Sequence, residues 1–422
     1  MSLSVKSKIS NYLYFGYIPP ENIFDNLFEN LEPDNTADYS PITAGKLFDS
    51  IFNDILDNSH SSTHIIPLSA GYDSRAILAA LLQRVSCKEI KSISYGQPGL
   101  LDYDIAKSIA STVGIEHTQI DLRQVDFSWP DLLNAVKRAP WTYVPDNYFN
   151  YICRERISTS SDSVWIGFLG DVLAGNHVQN VETDILNSRV KFINGQRKVK
   201  SFKFSKPTHT PGPGMNPLPN CDDYFDIGIR QTSCVGSIVL PLVKWDNWGV
   251  FAGNCQSGAK VITPFADRNW ARYWLNAPIE ARRHEKLFLN MLYGKFPKLF
   301  ELPSKHTLGA NNKKSIRYLA TKFSVVASIW LSKKLPLLSG GHRKMHNYLD
   351  FNEMFRTRKD YQQTALYAFE YLNKYDISDI IDIRKIWNKH ISGKQNCSDA
   401  ILTLIGLAAN LSVEESEGYI EN

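Results

Sequence analysis

The sequence predicts an α/β protein: a parallel sheet with helices on both faces, followed by a mainly helical C-terminal region. Three observations carry that expectation. An apolar run, Ile65-Ile66-Pro67-Leu68, passes through a loop of mostly small residues, Ser69-Ala70-Gly71-Tyr72-Asp73-Ser74, into a helical segment over 75–84. Two further strand patterns, 90–96 and 116–122, alternate with a helix over 102–113 through short connections, the order of a helix-covered parallel sheet. From residue 222 onward, apolar stripes at helical spacing recur near 225–240, 270–300, 316–336, 361–373 and 399–411.

Each element has a local reason. Leu47, Ile51, Ile55 and Leu56 recur at helical spacing within 43–57. The strand at 65–68 is a short continuous apolar run, as expected of a strand buried on both faces. The helix over 102–113 stops at Gly114, and the strand over 90–96 ends in Gly96. A second strand and loop follow at 163–175, where Trp165-Ile166 leads into Gly167-Phe168-Leu169-Gly170-Asp171 and then Gly175. Residues 187–221 change character, with seven basic side chains from Arg189 to Lys206 and then a Pro/Gly-rich stretch, and read as a loop insertion. The chain thus divides into a short N-terminal segment (1–60), an α/β core (61–186), the insertion (187–221) and the helical part (222–422).

Composition bounds the function. A net charge of +4 over 422 residues gives little reason to expect a nucleic-acid partner. No apolar run approaches the roughly 20 residues of a membrane span, and the N-terminus lacks the apolar core of a secretory signal. Six cysteines without a CxxC pair indicate neither a zinc site nor a disulfide framework, so the cytoplasm is the expected compartment. His342 and His346 have the spacing of two metal ligands on one helix face but lack an evident third.

The loop at 69–74 is suited to phosphate. Small residues at a helix N-terminus let backbone N–H groups approach an anion, and the helix dipole favours negative charge there. Ser69 and Ser74 add hydroxyls and Asp73 a Mg²⁺ ligand. In a parallel sheet, ligands bind beyond the carboxyl ends of the strands, where this loop, Ser94-Tyr95-Gly96 and Asp171 are all expected.

Ser69-x-Gly71-x-Asp73-Ser74 after a strand resembles the pyrophosphatase loop of enzymes that cleave ATP between the α and β phosphates. The resemblance extends to the synthetase domain of the asparagine synthetase-like family. Ser94-Tyr95-Gly96 is similar to its adenine-contacting strand, and Gly167-Phe-Leu-Gly-Asp171 to its second acidic loop. Pro264-Phe-Ala-Asp-Arg268 is similar to a further family segment, and Leu302-Pro-Ser-Lys305 to the one bearing a lysine near the reacting phosphate. These matches run in family order over roughly residues 45–310. The resemblance implies an adenine nucleotide α-hydrolase-like fold that uses ATP and Mg²⁺. Leu68, Ser69, Gly71, Asp73, Ser74, Ser94, Tyr95, Gly96 and Gly170 would bind the nucleotide, and Asp73 and Asp171 the metal. Lys305 and Asp171 would be catalytic, in a reaction that adenylates a small-molecule or peptide carboxylate and passes the acyl group to ammonia or an amine.

Departures from the family pattern qualify that expectation. Ser2 follows Met1 and no cysteine precedes Cys87, so the family's N-terminal glutaminase domain is expected to be missing; the amine would come from solution, a substrate or a biosynthetic partner protein. Ala70 replaces a loop glycine, and Phe168 stands where family members have Glu or Tyr to handle the nucleophile. Plainer readings compete: Asp73 as a turn cap, Asp267 and Arg268 as an ion pair or helix cap, and Lys286, Lys295 or Lys298 in place of Lys305. Two other functions fit the same fold, a tRNA-modifying ATP pyrophosphatase and a degenerate nucleotide-binding scaffold; tight, salt-dependent tRNA binding would favour the first.

Overall fold

The computed structural model describes residues 5–16, 38–59, 61–138, 140–141, 148–149, 151–153, 157–175, 259–310, 316, 319–324, 327 and 349–418. The 187–221 insertion, the stripe at 225–240, most of that at 316–336, His342, His346, Cys221, Cys234 and Cys255 lie outside the described residues.

Five parallel strands form one sheet: β1 (Thr63–Pro67), β2 (Ile90–Gly96), β3 (Glu116–Asp121), β4 (Asp162–Trp165) and β5 (Lys260–Ile262), in the order β3-β2-β1-β4-β5. The chain builds outward from β1 to β2 and β3, then crosses back to lay β4 on the other side of β1. That reversal opens a crevice at the carboxyl end of β1, the usual ligand position of an open α/β sheet. No strand is expected from the sequence after residue 222, yet β5 pairs with β4 from Ser163↔Lys260 to Trp165↔Ile262. Three residues are too few for alternation to register as a strand pattern.

Side-chain alternation along the strands divides the core in two. Ile66, Ile90, Trp165 and Ile262 face one way and pack with α2 (Pro41–Asp57), α3 (Asp73–Leu82), α4 (Leu101–Val113), α7 (Arg268–Asn276) and α8 (Lys286–Lys295). Ile65, Ile93 and Val164 face the other way, towards α1 (Val5–Phe15), α5 (Trp129–Arg138), α9 (Phe351–Thr357), α10 (Lys359–Leu372) and α12 (Ser398–Ser416). Between β4 and β5 in the chain lies the short helix α6 (Gly170–Ala174), and α11 (Ile383–Ile391) precedes α12. Helices therefore cover both faces, and the C-terminal region is helical, as expected.

Local chemistry sets the helix ends. Ser40 caps α2, its hydroxyl accepting from Thr43 N–H at 3.2 Å, and Pro41 supplies the first helical residue. Gly114 closes α4 in the left-handed conformation, φ 74°. Asp267 caps α7, accepting from Asn269 N–H at 2.8 Å and Trp270 N–H at 3.1 Å, the helix-cap reading of that residue. The C-terminal helix α12 is buried from Ala400 to Leu411 without a break, so it is the axis of the helical region and not a surface helix. Among the described residues, no helix is long and apolar enough to cross a membrane.

Candidate functional site

The main chain leaves β1 with Leu68 N–H still donating to Ile93 O at 2.8 Å, then turns sharply into α3. That turn is tied by its own hydroxyls. Ser69 N–H donates to Ser74 Oγ, Gly71 N–H donates to Ser69 Oγ, and the two serine hydroxyls meet, each at 3.1 Å. Ala70 N–H donates to Asp102 Oδ1 at 2.8 Å, fixing the loop to the first turn of α4. The helix begins at Asp73 and not at residue 75, so Asp73 lies in its first turn, where the helix dipole favours a carboxylate.

The second acidic loop, between β4 and α6, presses against this turn. A Cβ on Gly167 would sit 2.7 Å from Asp73 Cβ, and one on Gly170 would sit 2.5 Å from Asp73 Oδ1. Only glycine permits that approach. It brings Asp171 beside Asp73, with the Asp171 backbone N–H directed at the Asp73 carboxylate. Burial, and then the negative charges of Asp171 and Glu285, push the Asp73 carboxyl well above the ordinary carboxylate range, against the pull of Lys305. Asp73 Oδ1 is buried and has no hydrogen-bond partner.

Lys305 opens a short 3₁₀ turn whose backbone is bound to the loop, its N–H donating to Ala70 O at 3.1 Å. Its Nζ lies 3.4 Å from where a Gly71 Cβ would be, so a side chain at 71 would crowd the amine. The buried Arg75 holds this turn in place by donating to Leu299 O, Leu302 O and Pro303 O at 3.3, 3.0 and 2.6 Å. Tyr72 stacks on His306, centroids 4.5 Å apart and planes within 5°. The competing lysines are placed elsewhere: Lys295 pairs with Asp49, while Lys286 and Lys298 are exposed on α8 and the turn after it.

Together these elements bound a cavity of about 280 Å³ at the carboxyl end of β1. Leu68, Ser69, Asp73, Ser74, Ser94, Tyr95 and Lys305 line it, joined by Pro67, Asp102 and Gly167. The structure thus gathers seven of the sequence-predicted site residues around one space. Gly71, Gly96, Gly170 and Asp171 are not on its wall: Gly71 and Gly170 act by admitting neighbours, Gly96 ends β2, and Asp171 acts on Asp73 through its charge and its backbone N–H. Phe168 is half-buried and packed against both cores.

Pro67, Asp102 and Gly167 were not expected at the site, and neither was a buried acid near it. Glu285 is buried, and burial together with the charge of Asp171 raises its carboxyl to about 7, with Lys305 opposing. It and His284 both adopt the left-handed conformation, φ 58° and 56°. For residues with a side chain, each costs roughly 1–2 kcal/mol and persists only where the surroundings impose it. Here they do: Arg282 Nε donates to Leu173 O at 3.1 Å, and the Arg282 carbonyl lies 2.3 Å from where a Gly175 Cβ would stand. The 282–285 turn is therefore seated on α6, the helix that carries Asp171. Nothing local in the sequence announces it; the signal is a tertiary contact.

Among the described residues, no group of three or more His, Cys, Asp or Glu side chains forms a closed metal cage. Mg²⁺ does not need one, since it binds through one or two carboxylates and completes its shell with waters and substrate phosphates. The orphaned Asp73 oxygen and the mutual repulsion of Asp73 and Asp171 fit a divalent cation between them. A scan of protein-family models and a search of curated proteins return no match for this chain.

Proposed function

We propose that this chain is an ATP-dependent, AMP-forming amide synthetase of the asparagine synthetase-like class. The observation that carries the reading is the apposition of two acids, Asp73 in a serine-lined loop and Asp171 in a loop whose Gly167 and Gly170 admit it, with the Lys305 amine beside them. Asp73 and Asp171 would hold Mg²⁺, which when bound neutralises charge on the triphosphate oxygens. The Ser69 and Ser74 hydroxyls line the place of the β and γ phosphates, at the N-terminus of α3. A substrate carboxylate oxygen attacks the α-phosphorus, the bond to the β-phosphate oxygen breaks, and pyrophosphate leaves. Lys305 stabilises the negative charge that builds on the phosphoryl oxygens in that step, acting from a turn that needs no rearrangement. The amine then attacks the acyl carbon, the C–O bond to AMP breaks, and an amide forms. Phenylalanine at 168 handles no proton, so the amine is received by other side chains than in the family pattern.

The test is pyrophosphate release that depends on an added carboxylate. Asp73→Asn and Asp171→Asn should each lower it at least ~100-fold, the scale of losing one electrostatic element of such a site. Unchanged turnover in both variants would overturn the assignment. Absence of ATP binding by calorimetry with Mg²⁺ and a panel of carboxylates would favour a nucleotide-free scaffold.

A further inference from the structure

Between Glu301 and Asp350 the chain holds nine Lys and Arg side chains and no Asp or Glu. The whole protein carries a net charge of only +4, so the rest of it is net acidic. Apolar residues recur within this basic segment at helical spacing: Ile316, Leu319, Ala320 and Phe323. Residues 316, 319–324 and 327 are helical, and steps of three, four and seven residues bring the four apolar side chains to one face. That face is open: Ile316 is 86 % exposed, Phe323 76 % and Leu319 56 %. A single exposed leucine is ordinary, but three large apolar side chains on one helical face mark an interaction surface.

Charge and apolarity together select the occupant. A nucleic acid would answer the lysines and arginines through its phosphates, but it offers nothing to the aliphatic Ile316 and Leu319. A second copy of this chain would cover the stripe, yet an isologous contact would set two basic segments against each other. A helix-binding groove in another protein would hold the stripe but not a charged run of this length. An anionic lipid surface answers both: the acyl boundary takes the stripe while the headgroups attract the cations. The face is also tethered close to the candidate site. Gly309 lies against Leu101 and Ile105 of α4, and Ala310 is buried, so the turn opened by Lys305 is anchored at its far end. Six residues lead from Ala310 to Ile316, a reach of at most about 20 Å.

We propose that the face formed by Ile316, Leu319 and Phe323 docks this protein on an anionic lipid surface, with the surrounding cations supplying the attraction and the candidate site tethered beside the bilayer. The helix lies in the plane of the interface, its stripe towards the acyl chains, and spans nothing. Three apolar side chains give only marginal, reversible binding by themselves. The cationic segment is the second signal that makes docking stable, and it makes docking salt-dependent. The proposal goes beyond the nucleotide reading and does not require it.

The experiment floats the full chain with vesicles of phosphatidylcholine alone or with about one third phosphatidylglycerol. Partition onto the anionic vesicles should be about tenfold higher or more. It should fall steeply between about 0.1 M and about 1 M salt, as the screening length shrinks from about 10 Å to about 3 Å. The double variant Ile316→Ser with Phe323→Ser should lower partition by about tenfold or more. Lys322→Gln should lower it by about fivefold, the worth of one basic side chain near an anionic surface. All three side chains are exposed, so the substitutions leave the core intact. Ile42→Ser, which removes a lone exposed apolar side chain from α2, should change nothing. Equal partition onto neutral and anionic vesicles, or full binding by the double variant, would overturn the proposal. So would a dimer in sedimentation velocity, or salt-dependent RNA binding, that the double variant abolishes while vesicles are left unbound. ATP binding by calorimetry is a separate readout that the double variant should not move, so either reading can fail alone.

Discussion

The loop after β1 and the turn before α8 deliver carboxylates, Asp73 and Glu285, to the neighbourhood of Asp171 by opposite means. The first uses small residues: Gly167 and Gly170 leave the space that Asp73 fills, and two serines tie the backbone. The second uses strain, with two consecutive residues held in the left-handed conformation by the seat that Arg282 makes on α6. Close approach without side chains is written in local composition. Strain imposed from outside is not.

The small-residue half of the site is the more fragile. Gly170→Ala would place a methyl group 2.5 Å from Asp73 Oδ1 and 3.0 Å from Phe265, forcing the two loops apart. Carboxylate-dependent pyrophosphate release should fall by ~100-fold, the cost of about 1 Å of misplacement, with a stability loss of ~1–3 kcal/mol from overpacking in chemical denaturation. Near-normal turnover would show that the loops need not touch.

The strained half is sharpened by pH. Glu285 titrates at about 7 when folded against an ordinary value of 4.5, so the folded chain holds this proton more tightly than the unfolded one. Its contribution to stability is therefore complete below about 4.5 and is lost as pH rises through about 7. Without metal or nucleotide, the melting temperature of the wild-type chain should decline across that window. Glu285→Gln should flatten the decline, by an amount on the order of 3 kcal/mol at pH 8, leaving the part due to Asp73, whose raised carboxyl acts in the same direction. An unchanged pH profile would place Glu285 in contact with solvent. The smallest effect belongs to His284, which is exposed at φ 56°. His284→Gly should raise the unfolding free energy by ~1 kcal/mol through relief of the left-handed penalty, and a loss measured by urea titration would mean that the imidazole itself holds the turn.

The same contrast explains what was legible. Strands β1, β2 and β3, helix α4 and the loop from Ser69 to Ser74 follow from apolar runs and punctuation within a dozen residues, and the structure places them as expected. The glycines around Asp171 are visible as punctuation, though their purpose, clearance for Asp73, depends on a contact between two distant loops. Asp102 as an anchor of Ala70 and Glu285 beside Asp171 depend on which strands and turns become neighbours. Strand order is set by a crossover between β3 and β4 that no short window contains, and β5 is too brief to carry a pattern.

The three carbonyls gathered by Arg75 have a thermodynamic consequence. That guanidinium springs from the first turn of α3 and grips the chain at 299–303, just ahead of Lys305, so the phosphate-facing loop and the cationic turn are one mechanical piece. The freedom that a loosely held main chain would surrender at each encounter with a ligand has already been surrendered when the chain folds. What ordering remains is that of the exposed Lys305 side chain alone, which lowers the entropic cost of drawing affinity from that amine.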